Sequence, residues 1–136
     1  MVAQTLPYPS VEAMVVQALI AIYGNEYSIS TVLPEPIVQT AIRVQRLTGA
    51  PDNIWIDKPL VEVDVVTTKL VSGTAGYGLA DVLSRDIQAN LFNLRSLPLL
   101  EGVIQAVRTI TGPRRIPDIS VDTYRFAATY ELSVHA

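Results

Sequence analysis

Residues 123–135, TYRFAATYELSVH, alternate more strictly than any other stretch of the chain. Tyr124, Phe126, Ala128, Tyr130, Leu132 and Val134 share one face, while Arg125, Ala127, Thr129, Glu131, Ser133 and His135 share the other. A period of two in aromatic and β-branched residues specifies a half-buried strand, because successive side chains of a strand point to opposite sides. The chain must therefore build a sheet, and it must close that sheet with its own end. The stretch before it supplies a partner: residues 102–111 (GVIQAVRTIT) read as a strand and residues 112–122 (GPRRIPDISVD) as a polar loop.

The remaining elements follow from local signals. Ser10 is a good N-cap and Glu12 lies near the positive end of a helix dipole, so a helix is expected over residues 11–23. Val11, Met14, Val15, Ala18, Leu19 and Ile22 form its apolar stripe; Val16, Ile20 and Ala21 widen it, which predicts burial on more than one side. Gly24 ends it. Residues 27–33 read as a short strand stopped by Pro34 and Pro36, and residues 38–48 as another. Residues 49–53 are a turn by composition, and residues 60–68 (LVEVDVVTT) are a strong strand with Val61, Val63 and Val65 opposite Glu62 and Asp64. The last two strands make a long hairpin with a projecting tip. Residues 69–77 read as a flexible connection, and a second amphipathic helix is expected over residues 78–95, with Leu79, Val82, Leu83, Ile87, Leu91 and Leu94 on its apolar stripe.

The order helix, strand, hairpin, helix, hairpin predicts an α+β fold. Its sheet should be mostly antiparallel, with four or five strands and two helices packed on one face. At 136 residues the chain is expected to form a single domain, residues 1–136, with room for a core.

Composition narrows the function. The net charge of −3 lacks the basic excess of a dedicated nucleic-acid binder. There is no cysteine, which removes disulfides, thiolate metal sites and cysteine nucleophiles, and one histidine cannot build a histidine metal cluster within one chain. Charged residues are 17%, against roughly 25% in typical domains. The mean hydropathy is +0.32, yet the longest apolar stretch, residues 13–22, is interrupted by Gln17 and is far shorter than the roughly 20 residues of a membrane span. An apolar chain without a membrane span is expected to bury surface against other chains.

No constellation of residues assembles an enzyme. Gly73, Gly76 and Gly78 precede a predicted helix, but the spacing is not that of a dinucleotide loop and no Gly-Lys-Ser/Thr follows. A nucleotide or small-molecule site there is a competing reading that calorimetry with common nucleotides would test. His135 has no orienting carboxylate and nucleophile in view. Glu62 and Asp64 share a strand face and read as a solvated or interface pair; Asp81, Arg85 and Asp86 read as helix-surface charges. Neither catalytic residues nor a cofactor is expected. Arg114 and Arg115 lie between Pro113 and Pro117, in a loop whose restriction suits recognition of a partner. Trp55, the single tryptophan, sits beside Asn53 near the hairpin tip, where it either folds back as core or docks on a neighbour.

Thr111, the run GPRRIPD and Ile119, followed by YRFAATYELSVHA from Tyr124, resemble the C-terminal signature of siphophage tail terminator proteins, in particular those of actinobacterial phages. The layout is similar too: an N-terminal helix, Leu33-Pro34, a valine-rich strand after Lys58-Pro59, and a helix ending near Leu94-Arg95. Residues 119–123 lack the glycine-containing turn of many relatives. The resemblance implies a structural virion protein akin to the phage lambda tail protein U. Such a protein is assembled in the host cytoplasm and forms a ring, expected to be hexameric, that caps the head-proximal end of the tail tube. It implies contacts with further copies, with the major tail tube protein and with head-completion or connector proteins, while DNA passes through the channel without sequence recognition. No membrane is involved. An acidic balance would keep DNA from adhering to such a channel. Interface positions are expected at Asn53, Trp55, Arg114, Arg115, Asp118, Arg125 and Glu131. The alternative within the same class is another neck component, such as a head–tail connector or tail-completion protein.

Overall fold

The computed structural model describes residues 10–51, 56–68, 75–94, 102–116 and 123–135. Its elements are α1 (Val11–Tyr23), β1 (Ser28–Ser30), β2 (Ala41–Pro51), β3 (Asp57–Thr68), α2 (Ala75–Phe92), β4 (Val103–Ile116) and β5 (Thr123–His135). The fold is α+β: one five-stranded sheet in the order β1-β2-β3-β5-β4, antiparallel except for β1, which runs parallel to β2. The alternating C-terminal strand is thus internal, between β3 and β4. It inserts last in sequence and joins the two hairpins into one sheet.

Both helices cover the same face. Ile42 and Val44 of β2, Val61, Val63 and Val65 of β3, and Phe126, Ala128, Tyr130, Leu132 and Val134 of β5 form one core with residues of α1 and α2. The register makes this possible by setting Val63 opposite both Val44 and Ala128, and Val65 opposite Ile42 and Phe126. α1 begins where Ser10 Oγ accepts from the Ala13 N–H at 3.3 Å, and ends where Gly24, at φ 63°, donates to the Ile20 carbonyl at 2.7 Å. Such a cap contributes about 1 kcal/mol.

Besides a β1 cut to three residues and a later start to β2, expectation and structure differ in four places. Only one side of α1 is buried within the chain: Val11, Met14, Val15, Ala18 and Leu19 enter the core, whereas Ile20 and Ile22 are each 44% exposed. The helix lies over β1 and β2, at the end of the sheet, and Ala21 is exposed with its neighbours. α2 starts at Ala75, so Gly76 and Gly78 lie in its first turn rather than in a loop, and Gly73 lies outside the described residues; Thr67 Oγ1 donates to the Gly76 carbonyl at 2.8 Å and pins this first turn to β3. The buried stripe of α2 is Ala80, Leu83, Ser84, Ile87 and Leu91, continued by Leu94 just beyond the helix, leaving Val82 57% exposed. β2 and β3 extend further toward the hairpin tip than expected, pairing Gly49 with Pro59 and Pro51 with Asp57. Gly49 is required there: its φ is 113°, and a Cβ would stand 2.3 Å from the Lys58 carbonyl oxygen.

The fourth difference bears on function. β4 runs straight through Gly112 and Pro113 to Ile116, so Arg114 and Arg115 lie in a strand rather than in a proline-bounded loop. β4 is an edge strand, where a proline's missing N–H costs no ladder bond. Its register with β5 shifts at three points, between Ile104 and Ala106 and on either side of Thr111, which accommodates the irregular sequence.

Candidate interaction surface

The helix-free face of the sheet carries charge at its centre. Pairing sets Arg43 of β2 opposite Asp64 of β3, and Arg125 of β5 one step along, opposite Val66. Asp64 is fully buried, yet it accepts from both arginines. Arg43 Nε donates to Oδ2 at 2.8 Å and its Nη2 reaches the same oxygen; Arg125 donates to Oδ1 from Nη2 at 3.1 Å and from Nε at 3.3 Å. Glu62, two residues along the same face, sits 3.6 Å from Arg125 Nη2 and 4.0 Å from Arg43 Nη2. Burial, and then the neighbouring Asp64 charge, raise the Glu62 carboxyl above the usual range against the pull of Arg125 and Arg43. Two carboxylates and two guanidiniums balance one another, so the cluster ties β2, β3 and β5 together without a net charge of its own.

A second pair closes the β2–β3 hairpin. The Arg46 guanidinium donates to Asp57 at 2.7 and 3.1 Å and to the Gly49 carbonyl at 3.2 Å, while its backbone N–H donates to Glu12 Oε2 of α1 at 3.2 Å. The two helices are joined at Tyr23, which donates to Asp86 Oδ2 at 2.5 Å and accepts from Asn90 at 3.0 Å. Burial and the Asp86 hydrogen bond both raise the Tyr23 hydroxyl.

The β4 edge is different again. Arg108 faces Glu131 across the ladder, with a 3.3 Å contact at an exposed site. Arg114 stands opposite Ala127 on the helix-free face and is exposed. Its neighbour Arg115 faces the other way, as adjacent strand residues must. The Arg115 guanidinium lies 5.6 Å from the Tyr77 ring of α2 and 5.9 Å from that of Tyr124. Tyr77 in turn meets Tyr124 and Phe126 edge-on, at 5.6 and 5.3 Å.

The expected interface residues therefore separate. Arg114 and Arg115 share an edge but present opposite faces; Arg125 belongs to the Asp64 cluster; Glu131 belongs to Arg108. Asn53, Trp55 and Asp118 lie outside the described residues. The reading of Asp64 as a solvated or interface charge is corrected, since it is buried beneath two arginines. Sequence reasoning missed Arg43 and Arg46. Arg43 lies on the polar side of a predicted strand, whereas Arg46 falls on the Ile42–Val44 side, and only the register names their partners. Among the described residues no group of histidines and carboxylates could hold a metal ion, and no helix is long and apolar enough to cross a membrane.

These features define a small α+β domain with one face sealed by helices and two chemically distinct edges. No protein-family profile and no curated protein matches the sequence. By structure, the chain is similar to a chain of the virion of the native gene transfer agent particle: TM-score 0.63, 17% identity, 93% of this chain and 96% of that one covered. At that identity the likeness defines the shared fold, and it spans both chains almost end to end.

Proposed function

We propose that this chain is a structural component of a phage-like virion, and that within the virion it is the tail terminator. Copies form a ring, hexameric in this reading, on the head-proximal end of the tail tube. The ring stops addition of tube protein, presents a surface to head-completion or connector proteins, and leaves a channel through which DNA passes unread. The observation that carries the virion role is the near end-to-end likeness to a virion chain. The choice of terminator rests on the sequence resemblance over residues 111–135. The physics is compatible with both: the arginines and carboxylates at the centre of the helix-free face neutralise one another, while large apolar side chains stay exposed on α1 and around β1.

The test is tube growth. Polymerising tail tube protein is mixed with increasing amounts of this chain, and tube lengths are measured by electron microscopy. Terminator activity shortens the tubes in proportion to added protein and leaves a ring at one end of each. Unchanged tube lengths, with the chain bound instead to portal or connector rings, would move it to another neck position.

A further inference from the structure

The two edges of the sheet carry opposite charge. Residues 10–40, which form α1, β1 and the connection to β2, hold three glutamates and no lysine or arginine. Glu12 is occupied by the Arg46 N–H, and Glu26 and Glu35 are exposed. β4, at the far edge, holds Arg108, Arg114 and Arg115 and no acidic residue; Arg108 is paired with Glu131 of β5, and Arg114 and Arg115 are exposed. Apolar side chains accompany the charges on both sides: Ile22 and Val38 on the acidic edge, the latter 65% exposed, and Ile110 on β4.

We propose that copies of this chain associate head to tail, the acidic α1–β1 edge of one docking on the arginine-bearing β4 edge of the next. Each edge repels itself and attracts the other. A two-fold contact would set the edge bearing Arg114 and Arg115 against its own copy, or the glutamate edge against its own, and like-charge juxtaposition is strongly unfavourable. A head-to-tail contact between different patches is the kind that generates a ring when its rotation closes. The contact is made by side chains rather than by a continued sheet. β1 has three residues, and β4 carries Pro113 and three register shifts, features that blunt an edge against strand addition. This inference rests on the ring reading above and supplies the surfaces that would form the ring.

Charge reversal in two separate variants tests it, with sedimentation velocity as the readout and circular dichroism as the check on folding. Glu26→Arg/Glu35→Arg makes both edges basic; Arg108→Glu/Arg114→Glu makes both acidic. Each variant alone assembles roughly 100-fold more weakly than the native chain. An equimolar mixture restores assembly to within about tenfold, in even-numbered multiples only, because copies must alternate. If the native chain assembles and the mixture does not, or if either folded variant assembles like the native chain, the edges are not the contact, while the ring reading stands. If native chain and mixture both stay monomeric at every concentration, self-association itself fails, and the ring fails with it.

Discussion

The two faces of the sheet are built from the same strands and solve opposite problems. On the helix-covered face, β2, β3 and β5 bury aliphatic and aromatic side chains against α1 and α2. On the other face the same strands bury Asp64, and hold it with arginines drawn from either side. An apolar face needs only the right period and volume. A buried carboxylate needs named partners at a fixed register, since an unpaired charge in that position is costly. The first face is therefore tolerant of sequence change and the second is not.

The largest effect expected from this contrast is at Asp64. Asp64→Ala leaves Arg43 and Arg125 facing each other without their shared acceptor, and should cost about 4 kcal/mol in denaturant unfolding. A loss below about 1 kcal/mol would mean that the cluster is already open to water. Leu132→Ala, on the covered face, should cost about 3 kcal/mol, the usual outcome of a cavity that its neighbours partly refill. Were Leu132→Ala to cost clearly more than Asp64→Ala, the ranking of the two faces would be reversed.

Tyr130 sharpens the comparison from within the covered face. Its ring is fully buried and its hydroxyl has no hydrogen-bond partner among the described residues. Tyr130→Phe should stabilise by about 1 kcal/mol, since a buried polar group without a partner is removed and the ring stays. Thermal unfolding measures it, and a fall in the midpoint would show that the hydroxyl is bonded in solution.

The smallest effect concerns Glu62. Its carboxyl is raised in the folded state, so the folded chain holds that proton more tightly than the unfolded one. Stability from this group is present at low pH and is lost as pH rises through the raised value. Glu62→Gln removes that decline, so the variant should gain on the native chain as pH rises from the ordinary glutamate range toward neutrality. Parallel stability curves would assign the pH response to other groups.

The sequence made much of the fold legible and less of the surface. The alternation of residues 123–135 identified a strand and its buried face, and Ser10 and Gly24 bounded α1 correctly. These signals are local, so a linear reading suffices. The Arg43–Asp64–Arg125 cluster is not local: its members come from three strands, and only the pairing of β3 with both neighbours brings them together. The path of β4 through Pro113 was hidden for a related reason, because a proline stops a central strand but not an edge, and edge status is a property of the sheet. Of the expected interface residues, Arg114 and Arg115 could be paired by sequence but not assigned to opposite faces until they were known to lie in a strand. The exposure of Ile20 and Ile22 could not be read from α1 itself, since a helix that is apolar on several sides does not say which sides its own chain covers.

The proposed role depends on where the chain sits in a particle. A cryo-electron microscopy map of the neck of virions carrying this protein would show that directly. A tail terminator built this way forms one ring of this fold between the last ring of the tail tube and the connector, with the acidic α1–β1 edge of each copy against β4 of the next. Density for this chain repeated along the tube, or its absence from the virion, would contradict it.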